Sequence, residues 1–162
     1  MKKFLPLVFI FCLTTSLVGC SGKTYNTGEM LGVIAKELDL DVSVQLIDTI
    51  ELDDVVLACY MTGNEYQAHT YGYAEFEKRQ NGYKYLRTYS TMERGMDLRS
   101  AIYHGSYLFI SNNMKSQNLR IQFENGKEKL IVIDKIPFVY YLENASNFEY
   151  HFLDKDGKEL SP

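Results

Sequence analysis

The chain has 162 residues, with 17 basic and 21 acidic side chains, three Cys, no Trp and 13 Tyr. Apolar residues at 46% and charged residues at 23% exclude wholesale disorder and collagen-like repeats, and the length suits one ordinary domain or two small ones. A net charge of −4 at pH 7 lacks the electrostatic footprint of nucleic-acid binding, so no nucleic-acid partner is expected.

At the N-terminus, Lys2 and Lys3 precede the apolar run from Phe4 to Leu13, which Thr14, Thr15 and Ser16 follow. An apolar stretch well under the ~18 residues of a membrane-spanning helix, behind a short positive segment, has the form of a secretory signal over residues 1–19. It ends in Leu17-Val18-Gly19-Cys20, which resembles the lipobox of bacterial prolipoproteins, where a small residue precedes the cysteine. The resemblance implies diacylglyceryl transfer to the Cys20 thiol, cleavage after Gly19 and acylation of the new amine. One acyl chain holds a protein on a membrane only marginally, whereas two or more hold it stably. The expected partner is therefore the membrane, through lipid on Cys20, and the expected location is the extracytoplasmic face of the cell membrane. Loss of residues 1–19 removes Lys2 and Lys3 and no acid, leaving 15 basic against 21 acidic side chains and a charge of −6. An acidic body is mildly repelled by an anionic bilayer, so the lipid must supply the attachment. Beyond the lipobox no family motif is matched, and the chain is similar in its ordering to small, functionally unassigned lipoproteins of Gram-positive bacteria.

Residues 20–27 read as a polar, lipidated tether. Asn26 and Glu29 have the spacing of a helix N-cap with a reciprocal carboxylate, and Leu31, Ile34, Ala35 and Leu38 then repeat at helical spacing. A helix over 28–38 follows, too short to be stable unless it lays that stripe on another element. Residues 42–50 alternate Val42, Val44 and Leu46 with Ser43 and Gln45, a half-buried strand that Asp53-Asp54 interrupts before a second strand at 55–62. Cys59 in that second strand reads as a buried core thiol, with no disulfide partner once Cys12 is removed and Cys20 is capped. Strands from Tyr66 to Glu77 and from Tyr83 to Ser90 flank Asn81-Gly82, a pair that favours a two-residue type I′ hairpin loop. That loop would set Gln80 against Tyr83, Lys78 against Tyr85 and Tyr89 beside Ala74.

After a strand-poor stretch from Thr91 to Arg99, one strand is expected from Ile102 to Ser111. Asn125-Gly126 then repeats the hairpin signal between Leu119–Phe123 and Leu130–Ile133, pairing Glu124 with Lys127 and bringing Ile121 near Leu130. Phe138 to Leu142 and Phe148 to Leu153 are the last strands, and Asp154-Lys155-Asp156-Gly157 is a turn. Eight or nine strands after one early helix, without helical crossovers, predict a mainly β, α+β fold of antiparallel sheets, sandwich-like in its C-terminal half. The expected partition is a helix-plus-sheet unit over 28–90 and a sandwich-like unit over 101–160, or a single domain over 28–160.

His69, His104 and His151 fall on three separate predicted strands without metal-ligand spacing, so neither a metal nor a cofactor is expected. The Asp154 turn lacks the register of a calcium loop. Ser106 neighbours His104, but no nucleophile elbow or oxyanion donor accompanies them. Tyrosine is the one excess. Tyr71, Tyr73, Tyr83, Tyr85 and Tyr89 spread over both faces of the first hairpin, as strand-forming packers or as a recognition surface. The expectation is a non-enzymatic binding or accessory module for a protein, peptide or glycan partner. The alternatives are a hydrolase or metal-dependent enzyme built on His69, His104 or His151, and a regulatory lipoprotein that restrains a membrane partner.

Overall fold

A computed structural model describes residues 23–38, 43–63, 70–93 and 97–160, with Met92 and Glu93 described by their backbone alone. The signal and lipobox readings, Cys20, Val42, the start of the strand expected from Tyr66, and His69 lie outside the described residues.

The capping signal forms as expected. Asn26 Oδ1 accepts from Glu29 N at 3.0 Å and Glu29 Oε2 accepts from Asn26 N at 2.8 Å, starting a 3-10 turn, Thr27–Glu29, that runs into helix α1, Met30–Glu37. The buried stripe is Met30, Val33 and Ile34, rotated from the one expected around Leu31 and Ala35. Eleven strands follow among the described residues: β1 Val44–Glu51, β2 Val55–Thr62, β3 Tyr71–Arg79, β4 Gly82–Ser90, β5 Met92–Glu93, β6 Leu98–Tyr103, β7 Ser106–Ser111, β8 Asn118–Phe123, β9 Glu128–Val132, β10 Phe138–Leu142 and β11 Phe148–Leu153. All pair antiparallel, in three sheets ordered β1-β2-β3-β4, β10-β7-β6-β5 and β11-β8-β9. The fold is mainly β with one short N-terminal helix, and its sheets stack in sandwich fashion.

Side-chain alternation sets the stacking order. Val56, Ala58, Tyr60, Ala74 and Phe76 face α1. From the opposite face of the same strands, Leu57, Cys59 and Tyr73 meet Ala101, Tyr103 and Leu108 of the second sheet, and Met61 and Tyr71 meet Ile110. The far face of the second sheet, with Leu98, Phe109, Phe138 and Leu142, packs on Leu119, Ile121 and Phe152 of the third. Helix and three sheets thus lie in layers. Strands β2 and β7 are covered on both sides, which is why Val56–Met61 and Leu108–Ile110 are unbroken apolar runs without a polar alternate.

Several strand registers differ from the sequence reading. In β1 the register shifts between Leu46 and Asp48, so Ile47 and Ile50 take the inward positions and Leu46 is exposed. In the first hairpin Arg79 pairs with Gly82, Lys78 with Tyr83, Phe76 with Tyr85 and Tyr73 with Tyr89. The loop is Gln80-Asn81, and Gly82 is a strand residue with φ of 128°. A bulge leaves Leu86 without an opposite, because Glu75 pairs with Arg87 and Phe76 with Tyr85. That one extra residue turns Tyr89 to the face of Tyr73 while Tyr83 and Tyr85 stay on the α1 face.

The stretch read as one strand from Ile102 to Ser111 is a hairpin, β6 and β7, and β6 starts as early as Leu98 inside the segment read as strand-poor. His104 and Gly105 both have positive φ, 46° and 80°, the signature of a type I′ turn. In the second Asn-Gly hairpin Gln122 faces Glu128 and Leu119 faces Ile131, one residue away from the expected register. Phe123 N donates to Lys127 O and Gly126 N to Phe123 O, both at 2.9 Å, closing a three-residue loop, Glu124-Asn125-Gly126. Leu130 therefore pairs with Arg120 on the outer face, 55% exposed, rather than with Ile121. The observed register buries Ile133 and half-buries Ile131 against the third-sheet core, which the expected one would have turned outward.

Candidate functional site

At one end of the first two sheets, three chain reversals converge on a cleft of about 600 Å³. The β1–β2 turn supplies Glu51, Leu52, Asp53 and Asp54; the β6–β7 turn supplies Tyr103 and His104; the end of β10 supplies Tyr141 and, just beyond it, Glu143. Each reversal is pinned from behind. Leu52 N donates to Val55 O at 2.9 Å, and Lys78 N donates to Asp54 O at 2.8 Å. The Lys78 ammonium reaches Leu52 O at 2.6 Å and Glu51 Oε2 at 2.7 Å. His104 stands edge-on to the Tyr103 ring, with centroids 4.6 Å apart. Ser106 is buried, and its Oγ accepts from Asn144 N at 3.0 Å, fixing the turn after β10 beside the His104 turn.

Tyr103 joins the cleft to a polar group sealed between the first two sheets. Glu75 is 4% exposed; its Oε2 accepts from Arg87 Nε at 2.8 Å and its Oε1 from the Tyr103 hydroxyl at 3.2 Å. Burial, and then the Glu75 charge and hydrogen bond, push the Tyr103 phenol from 10.0 up to about 12. Tyr73 stacks on Tyr89 at 4.7 Å, meets Tyr103 edge-on at 5.9 Å and donates to Ile102 O at 2.9 Å. Burial raises its phenol well above the usual value as well. The Arg87 guanidinium lies 5.3 Å from the Tyr89 centroid. The Tyr103 ring is therefore fixed in orientation by its hydrogen bond to Glu75 and by its edge-on contact with Tyr73.

The cleft surface is acidic and aromatic. Glu51 is paired with Lys78, while among the described residues no ion pair engages Asp53, Asp54 or Glu143. Carboxylates beside phenol and imidazole rings favour a ligand that is positively charged and carries a flat or aliphatic face.

Of the residues singled out from sequence, only His104 lines the cleft. Tyr71 and Tyr73 are each 1% exposed, so they are core packers and not part of a surface. Tyr83 and Tyr85 are half-buried beside α1, and Tyr89 is half-buried against Tyr73. His104 lies at a turn instead of on a strand, and His151 on β11 sits 3.1 Å from Glu159 across the third sheet's outer face. Among the described residues no three His, Cys, Asp or Glu side chains are grouped to hold a metal ion. The Asp154 carboxylate accepts from Asp156 N and Lys158 N, both at 2.9 Å, as a turn residue does. Cys59 is fully buried, and desolvation with the nearby Asp48 charge drives its thiol far above the normal range. Sequence reasoning missed Tyr103, Tyr141 and Glu143 as neighbours. The His104-Gly105 pair inside a long β-rich run, together with the Asp53-Asp54 interruption, was the signal that two reversals stood there.

The fold and the cleft together describe a layered antiparallel α+β protein with an acid-lined, tyrosine-walled groove at one end. Compared with protein-family models, with curated proteins and with solved structures, the chain matches none.

Proposed function

We propose that the protein is a lipid-anchored lipoprotein of the extracytoplasmic membrane face that works as a binding or accessory module, with its ligand in the cleft between Asp53-Asp54 and His104. The observation that carries this reading is the lipobox Leu17-Val18-Gly19-Cys20, with Cys20 five residues ahead of Tyr25, whose backbone is hydrogen-bonded to Tyr83. The cleft supports the binding part. Three carboxylates free of ion pairs among the described residues, beside Tyr103, His104 and Tyr141, suit an amine-bearing protein, peptide or glycan. Cys20→Ala in cells should leave a larger precursor that no longer fractionates with membranes in its processed form. Mass spectrometry that finds the mature wild-type chain with an unmodified Cys20 overturns the anchor. A photo-crosslinking residue at position 104 should capture partner, and one at exposed Met114 should not. Asp53→Lys with Asp54→Lys should abolish the capture at 104, and equal capture at the two positions overturns the cleft assignment.

A further inference from the structure

We infer that β9 is an interaction edge at which two copies of this chain join, strand to antiparallel strand, into one continuous sheet ordered β11-β8-β9-β9-β8-β11. The edge of a sheet carries unpaired N–H and C=O groups, and folded chains blunt it. Four of the six edges among the described residues are blunted in this way. β1 is broken by the bulge between Leu46 and Asp48, β4 is bridged by Tyr25, β11 is bridged by Glu159, and β5 has only two residues. Of the other two, β10 has every side chain buried or half-buried, whereas β9 is regular in register and exposes Leu130 and Val132, the latter by 68%.

The hydrogen bonds of β9 show which of its groups face outward. Phe123 N donates to Lys127 O and Ile133 N to Gln117 O, both at 2.9 Å, so residues 127, 129, 131 and 133 address β8. Glu128, Leu130 and Val132 point their backbone groups the other way, where no strand pairs with them among the described residues. The exposed apolar side chains stand on these same residues. A second copy fits because the strand is complementary to itself about its own centre. With Leu130 on a twofold axis, Glu128–Val132 overlaps its copy over the whole strand and the wet faces stay together. Leu130 then meets Leu130 and Glu128 meets Val132, with about six backbone hydrogen bonds between the strands and no like charges side by side. An axis at Lys129 sets two ammonium groups against each other, and one at Ile131 sets Glu128 against Asp134 and Lys127 against Lys135. The contact is small beside the ~800 Å² per partner of a standard interface, so the pair is weak in dilute solution and shows itself when trapped.

Cysteine trapping reads the axis directly. Full-length protein, purified as cells make it and concentrated, carries Glu128→Cys, Leu130→Cys or Val132→Cys and is mildly oxidised, with each disulfide mapped by mass spectrometry. In the pair the two Cα atoms of residue 130 lie ~5.5 Å apart, within disulfide reach, while residue 128 lies ~14 Å from its own copy. Leu130→Cys should therefore give a 130–130 bridge in about tenfold higher yield than the same-residue bridge of either other variant. A mixture of Glu128→Cys and Val132→Cys should give the 128–132 bridge. Absence of the 130–130 bridge, or equal same-residue yields at the three positions, overturns the proposal. A bridge from position 130 to a different chain, with none to a second copy, assigns the edge to another occupant and overturns it as well. Added to Leu130→Cys, Val132→Glu stands opposite Glu128 of the copy and should lower the yield several-fold, whereas Val132→Lys should not lower it. An equal loss with both charges contradicts the register.

Discussion

The two hairpins that carry an Asn-Gly pair, β3–β4 and β8–β9, share a sequence signal and solve it differently. In the first, Gly82 is drawn into the strand because the Tyr25 backbone lies against it, and the loop moves back to Gln80-Asn81. In the second, Gly126 takes φ of 79° as the last residue of a three-residue loop, with open space around it. The two-residue type I′ turn appears at His104-Gly105 instead. An Asn-Gly pair marks that the chain reverses. Which residues then face each other is settled by the surfaces that must be buried, since a one-residue slip turns a whole strand over. In the first hairpin β3 is buried on both faces and β4 is bridged at its edge by Tyr25; the second hairpin has one wet face.

The difference is sharpest at glycines. Gly72 sits under the Tyr60 ring with the Tyr89 carbonyl across from it, and an added Cβ would collide with both. Gly72→Ala should cost about 3 kcal/mol, read as a lower urea midpoint, since overpacking in a sealed core has nowhere to relax. Gly82→Ala would bring a Cβ to 2.5 Å from Tyr25 O at a positive φ, and should cost about 2 kcal/mol. Its telltale is faster amide exchange at Tyr25 and Tyr83. Gly126→Val meets no neighbour and suffers the backbone strain alone, about 1–2 kcal/mol. If Gly126→Val proves costlier than Gly82→Ala, the two loops have been assigned the wrong way round.

Alkaline titration reports on the first side of that comparison alone, through two tyrosines packed in and against the first sheet. Tyr60, within the first sheet, and Tyr103, packed on its inner face, both have phenols raised from 10.0 to about 12, chiefly by burial. A raised folded value means that the native state keeps a proton the unfolded chain gives up. Their contribution is therefore whole below about pH 10 and is lost as the pH rises toward about 12. Urea midpoints should fall across that window, and Tyr60→Phe and Tyr103→Phe should flatten the fall; an unchanged slope in both variants would contradict these placements. The smallest effect is expected on the wet face. Leu130→Thr, at a 55% exposed position, should move the midpoint by under about 0.5 kcal/mol.

Legibility followed the same divide. The bounds of β2, β10 and β11 match the sequence reading because each is an apolar or aromatic run closed by turn residues. The buried Cys59 could be read for the same reason. What could not be read depends on partners far along the chain. The Leu86 bulge, which decides the face of Tyr89, leaves no mark in the local pattern, and Leu98-Arg99 looked like part of a charged linker. The cleft draws on three reversals up to ninety residues apart, so no motif announces it; Asp53-Asp54 registered only as a break between strands.

The Tyr25–Tyr83 bridge also has a mechanical meaning. A pull applied at Lys23 meets, among the described residues, those two backbone hydrogen bonds first, then the Asn26–Glu29 cap, and only afterwards the apolar stripe of α1 seated on Tyr60 and Phe76. The hydrogen bonds are short and stiff and yield over a small extension, whereas prying a buried helix from a sheet takes a long one. The N-terminal edge is built like a graded fuse, in which the bonds that yield first are the ones that re-form most simply and the α1 core is loaded last.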